Sequence, residues 1–171
     1  MTLLYALVAV LTVAVAVDLL LTTAVIRRLR AIEEHRDPGP AAVGPPLGSA
    51  LPAGQVDRIT GRTSGPLLLA FFSTTCKYCP DQADRLARRA TDLRRDGVQI
   101  LSVVTTTPGE DVAALATVLR PAGQVVTEPG PGELMVAFGV LGTPTFLYYD
   151  DGGILAASGT TVDDLRLPVR P

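Results

Sequence analysis

The chain's two cysteines stand three positions apart in Cys76-Lys77-Tyr78-Cys79, directly after the apolar run Leu67 to Phe72. Sulfur spaced this way points to thiol–disulfide exchange. A helix start supplies unpaired amide donors and the positive end of the backbone dipole, and both favour a thiolate over a thiol. On this reading Cys76 is the nucleophile. Cys79, one turn later on the same face, is placed to attack a mixed disulfide and release the partner. Zinc fits poorly, because structural sites take four ligands and the chain adds only His35, in a distant segment, to its two cysteines. A purely structural disulfide also fits poorly, since closing so short a loop removes little unfolded-state entropy.

The elements that would hold this pair follow from the flanking pattern. Leu67 to Phe72 is apolar without alternation and of strand length, which predicts a central strand covered on both faces. After the cysteines, Ala83, Leu86, Ala87, Ala90 and Leu93 recur at helical spacing, with Arg85, Arg88, Arg89 and Arg95 largely off that stripe. The arginines read as a solvated helix face rather than a recognition patch. Asp96-Gly97 ends the helix and Val98 to Val104 predicts a second strand, parallel to the first because a helix connects them.

Further on, Glu110 and Asp111 are expected in the first turn of a helix running through Val112, Leu115, Ala116 and Leu119 to Pro121. Gln124 to Thr127 predicts a short strand and Gly132 to Phe138 a short helix. Thr145 to Tyr149, the turn Asp150 to Gly153, and Ile154 to Ala157 predict a β-hairpin. Val162 to Leu167 is expected to form one or two helical turns. The fold class is therefore α/β, with antiparallel strands closing a sheet that begins parallel.

Ahead of this unit, Thr2 to Ile26 carries Asp18 as its one charged residue, and about 24 apolar positions at ~1.5 Å each can cross a ~30 Å hydrocarbon core. Residues 1–26 are read as a transmembrane anchor. A cleavable leader is less consistent, since no basic residue precedes the run and the run continues past Ala14-Val15-Ala16. Asp18, near the basic end, reads as tolerated rather than functional. Residues 27–54 are read as a polar helical stub, which contains His35 as a surface residue, followed by a tether. Nine of the seventeen residues from Pro38 to Gly54 are Pro or Gly, a composition expected to form neither helix nor sheet and to reach up to roughly 50 Å. Residues 55–171 are read as the folded domain that carries the cysteine pair. A formal net charge of −2 gives no basis for nucleic-acid binding.

With Ser73-Thr-Thr-Cys76-Lys-Tyr-Cys79 after a buried strand and Gly142-Thr143-Pro144-Thr145 before a hairpin, the chain resembles the thioredoxin-like superfamily. Within it, the chain is most similar in layout to the membrane-anchored TlpA-like, ResA-like and MauD-like thiol-disulfide oxidoreductases. The likeness covers about residues 55 to 160. It implies a mixed sheet with flanking helices, Cys76 as the attacking and Cys79 as the resolving cysteine, and Pro144 as a cis-proline facing them. The same resemblance implies that the Thr143 backbone pairs with an extended substrate segment. Lys77 and Tyr78, between the thiols, would tune the thiolate and meet the substrate. Three positions depart from the pattern: Thr75 replaces an aromatic residue before the first cysteine, Ala70 the buried acid of thioredoxins, and Gln82 the glutamate of ResA-like proteins.

The expected function is a membrane-tethered protein thiol-disulfide oxidoreductase that needs no cofactor, because electrons move between sulfur atoms. Its expected partners are client protein thiols or disulfides and a membrane redox partner. Arg27, Arg28, Arg30 and Arg36 after the span favour a cytoplasmic domain under the positive-inside rule, whereas the resemblance implies an extracytoplasmic one. The extracytoplasmic, single-pass reading is adopted. Two alternatives stand beside it. A non-enzymatic adaptor or maturation factor for an exported partner would use the Thr143-Pro144 edge alone. A peroxiredoxin-like peroxidase resembles Pro-x-x-x-Thr-x-x-Cys, where this chain has Leu69 and Ser73.

Overall fold

The computed structural model of the protein describes residue 5, residues 44–52, residue 54, residues 65–163 and residue 165. The expected membrane anchor, apart from Tyr5, and the polar stub lie outside the described residues, as do residues 164, 166 and 167 of the expected terminal helix at 162–167, while Val162, Asp163 and Leu165 are not helical. No helix among the described residues is long and apolar enough to cross a membrane.

Strand β1, Leu67–Ser73, is buried along six of its seven residues, as its unbroken apolar run requires. Helix α1 follows as Cys79–Arg95, with Pro80 in its first turn, Asp81 near its N-terminus and Arg94 and Arg95 in its last turn, each in keeping with the helix dipole. Gly97, at a φ of 80°, ends it. The Val98 N–H donates to the Leu93 carbonyl at 2.9 Å and the Gly97 N–H to that of Arg94 at 3.0 Å, so the last turn's acceptors are met. The remaining elements are β2 (Gln99–Thr106), α2 (Ala113–Leu119), β3 (Gln124–Pro129), α3 (Glu133–Ala137), β4 (Thr145–Tyr149) and β5 (Leu155–Gly159).

The five strands form one sheet in the order β3-β2-β1-β4-β5. β1 pairs parallel with β2, Leu67 opposite Gln99 through Ser73 opposite Thr105, and β2 pairs parallel with β3. β4 runs antiparallel to β1 and β5 antiparallel to β4, so the mixed sheet expected from the sequence is present. Alternation along the strands divides the core in two. Leu68, Ala70, Phe72, Ile100, Val104 and Phe146 pack with Leu86, Ala90 and Leu93 of α1 and Leu115 and Leu119 of α2. On the opposite face Leu69, Phe71, Leu101, Val103, Leu147 and Tyr149 pack with Leu134 and Phe138. Each fully buried Leu or Phe removes enough apolar area from water to contribute about 1.5–3 kcal/mol.

Two local features differ from the sequence reading. Glu110 and Asp111 precede α2 rather than occupying its first turn. The Asp111 carboxylate instead accepts the Ala113 N–H at 2.7 Å, satisfying a donor the helix leaves open. The second difference lies in the Pro/Gly-rich stretch, where residues 48–51 pair with the sheet. Ala50 forms an antiparallel bridge with Ile154, Gly48 donates to Leu155 at 2.9 Å, Leu51 donates to Gly153 at 2.7 Å, and Leu155 donates to Ser49 at 2.9 Å. Of the five amides between Pro46 and Pro52, those of Gly48 and Leu51 donate to the sheet, which is enough for pairing. It covers the free edge of β5, and Leu51 packs against the Phe71 side of the core.

Candidate active site

The site forms at the C-terminal end of β1, where the chain leaves the sheet. The Thr74 N–H donates to the Thr105 carbonyl at 3.1 Å, one step beyond the β1–β2 ladder, and the Cys76 N–H donates to Ser73 at 3.2 Å to close a turn. The Cys79 N–H then donates to the Cys76 carbonyl at 3.2 Å. Helix α1 begins at Cys79, so Cys76 lies in the turn ahead of it rather than in its first turn. Pro80 accounts for this start, because its ring and missing N–H suit the opening positions of a helix.

The two sulfurs have different surroundings. Both cysteines are free, Cys76 half-buried and Cys79 fully buried. The Cys76 thiol donates to the Thr143 carbonyl at 3.4 Å, and the Ser73 N–H donates to Cys79 Sγ at 3.4 Å. Burial, followed by the hydrogen bond with Cys76, pushes the Cys79 thiol up to about 12, against smaller lowering effects from the Ser73 amide and the Thr143 side chain. Thr143 therefore acts on both sulfurs.

The loop that carries Thr143 is pinned from behind. Its peptide with Pro144 is cis, Pro144 is buried, and the Thr145 hydroxyl donates to the Gly142 carbonyl at 2.7 Å. The structure thus brings Cys76, Cys79, Thr143 and Pro144 to one place from two distant segments. Lys77 and Tyr78 are exposed, and the Lys77 ammonium sits 5.0 Å from the centre of the Tyr78 ring, a cation–π contact between the two. Neither is among the groups acting on Cys79.

Gln82 occupies a buried position one turn into α1, yet its side chain is spent elsewhere. Its Oε1 accepts the Val162 N–H at 3.2 Å, and the Arg89 guanidinium donates to the Val162 carbonyl. Arg85 and Arg89 also pair with Asp163. This polar latch ties the chain after β5 to the helix that carries Cys79, so part of the arginine face has a structural task. A cleft beside Cys76, bordered by Thr105, Thr106 and Thr107, was not singled out from the sequence. The available signal was three consecutive hydroxyl residues ending a parallel strand, where crevices of open α/β sheets lie.

No family model matches the chain, and no curated protein is similar to it in sequence. Solved structures are similar in fold. The thioredoxin domain of a thiol-disulfide oxidoreductase from Bacteroides vulgatus superimposes with a TM-score of 0.56 at 18% identity, over 70% of this chain and 92% of that one. A domain of a possible thiol-disulfide isomerase from Cytophaga hutchinsonii gives 0.53 at 12% identity, over 71% and 88%. A putative thiol:disulfide interchange protein DsbE from Chlorobium tepidum gives 0.52 at 18%, over 72% and 88%. The chain has a thioredoxin-like fold, with a Cys-x-x-Cys pair at the end of its first sheet strand.

Proposed function

We propose that this chain is a membrane-tethered protein thiol-disulfide oxidoreductase working through Cys76 and Cys79. The observation that carries the reading is the asymmetry of the pair: an accessible thiol set against the Thr143 carbonyl, and a buried partner behind it. Starting from the dithiol, the Cys76 thiolate attacks a client disulfide, forming a Cys76–client bond and releasing one client thiolate. Cys79 then loses its proton and attacks Cys76 Sγ, releasing the second client thiolate and leaving a Cys76–Cys79 disulfide. Two electrons and two protons pass to the client. The reverse sequence oxidises a client dithiol.

The structure offers a reason for the order of steps. Once Cys76 is bonded to the client, its hydrogen bond and its charge no longer hold the Cys79 proton on, so Cys79 ionises more readily when it must act. Burial keeps it protonated beforehand. The Thr143 backbone would pair with an extended client segment, with Lys77 and Tyr78 at the rim of the contact. The resemblance and the apolar stretch at 1–26 support a single-pass anchor with this domain outside the cytoplasmic membrane, next to a membrane redox partner.

The test is a pair of variants assayed on a disulfide-bonded protein such as insulin. Cys79→Ser should accumulate a client-linked species through Cys76, visible by mass spectrometry and released by dithiothreitol. Cys76→Ser should trap none. Trapping by neither variant, with both folded, would sink the exchange mechanism and leave the adaptor reading.

A further inference from the structure

The cleft beside Cys76 has a volume of about 260 Å³, just below the ~300–1,000 Å³ usual for small-molecule sites, and opens to solvent. Its wall comes from chain-distant pieces: Ser73 and Thr75 from the cysteine turn, Thr105 to Thr107 from the end of β2, Met135 from α3, and Thr143. No Asp, Glu, Lys or Arg lines it. Of the two acids within two residues of the lining, Glu128 has its carboxylate committed to the Leu134 and Met135 amides at 3.2 and 3.4 Å, and Glu133 is exposed. The hydroxyls are unevenly occupied. Thr105 donates inward to the Phe72 carbonyl at 3.1 Å, and Ser73 and Thr75 share a 3.0 Å bond. The Thr107 hydroxyl takes no hydrogen bond among the described residues and is exposed.

We propose that this cleft seats the client residues adjoining the client cysteine and selects uncharged, hydrogen-bonding side chains such as Ser, Thr and Asn. The inference rests on the exchange reading above. When client sulfur is bonded to Cys76, the next client residues lie within one or two steps of ~3.3–3.6 Å, which places them against Thr75 and Thr143, two residues of the cleft wall. A hydroxyl or amide there finds donors and acceptors. A carboxylate or ammonium loses water and meets Met135 and neutral hydroxyls with no counter-charge, which is unfavourable for either sign. Lys77, exposed next to Cys76 and outside the lining, distinguishes the signs only at longer range.

The test uses the reduced full-length chain with disulfide-linked peptides differing only at the residues flanking cysteine: Ser, Asp or Lys. A small aromatic disulfide without flanking residues serves as reference. The Ser peptide should exceed both charged peptides in kcat/KM by at least about fivefold. Rates within twofold of each other, or discrimination against Lys alone, would overturn the cleft assignment, the latter by pointing to Lys77. Thr107→Asp, checked for folding by circular dichroism, should bring the Lys peptide above the Ser peptide, and an unchanged order would likewise overturn it. Failure to exchange with every disulfide, the aromatic one included, would sink the oxidoreductase reading itself.

Discussion

The cysteine turn and the scaffold beneath it differ in how they use their polar groups. In the scaffold, Glu128 caps α3, Gln82 and Arg89 hold Val162, and the Asp150 carboxylate accepts the Gly152 and Ile154 amides at 2.9 Å each. In the turn, the Cys76 thiol has one long bond to Thr143 and Thr74 Oγ1 is buried without a partner among the described residues, a state that only Ser102 Oγ of β2 shares there. The contrast is physically sensible. Groups that must exchange partners during a reaction gain from being left loosely engaged, provided the frame around them is over-determined.

If the division of labour holds, substitutions in the turn should change rate without stability, and those in the scaffold the reverse. The largest effect belongs to Cys76→Ser. Loss of the nucleophile should lower insulin turnover on the order of a thousandfold or more, with a melting temperature within a few degrees of the parent. A melting temperature that fell as steeply as the rate would erase the distinction.

The scaffold counterpart is Gly123→Ala. A Cβ at Gly123 would lie 2.3 Å from the Ile100 carbonyl oxygen and 2.9 Å from Ile100 Cβ, so the backbones of β2 and the chain entering β3 must separate. Overpacking of this kind costs about 1–3 kcal/mol. Thermal unfolding should register it, while the exchange rate at 25 °C should stay within about twofold of the parent. Next in size is Gln82→Ala, which leaves the buried Val162 N–H without its acceptor at a cost of about 1–3 kcal/mol. A Gln82→Ala protein that stayed fully stable but exchanged slowly would move Gln82 from the latch into the reaction.

Legibility in the sequence follows the range of the interactions. The β1 run and the α1 stripe are local patterns, and both elements stand within a few residues of their expected bounds. The cysteine pair was readable from its own spacing after an apolar strand, whereas Thr143-Pro144, far along the chain, was joined to it only through the resemblance to thioredoxin-like proteins. The helix start was misplaced by three residues although Pro80 marked it. Residues 48–51 were expected to be unpaired because composition measures average propensity, whereas docking on β5 needed only a few well-placed amides. The cleft was the least legible feature. Its wall is assembled from two strand ends, the loops that follow them and one short helix among other chain-distant pieces, and no single stretch of chain carries its pattern.

Cys79 belongs to both regions, and its titration joins them. The folded chain holds its proton up to about 12, whereas an unfolded cysteine releases it near 9.0, so between these values the folded state binds more protons than the unfolded one. Stability from this group is therefore complete below about pH 9 and falls as the pH rises towards 12. In Cys79→Ala that alkaline slope should fall to the part that buried Tyr149 supplies above about pH 10, measured as the pH dependence of urea unfolding relative to the parent. Forming the Cys76–Cys79 disulfide should lower it equally, because neither sulfur then titrates. A parent slope that survives both changes undiminished would mean that the buried thiol is not what couples site to scaffold, and that Tyr149, which burial also pushes up to about 12, carries the alkaline response instead.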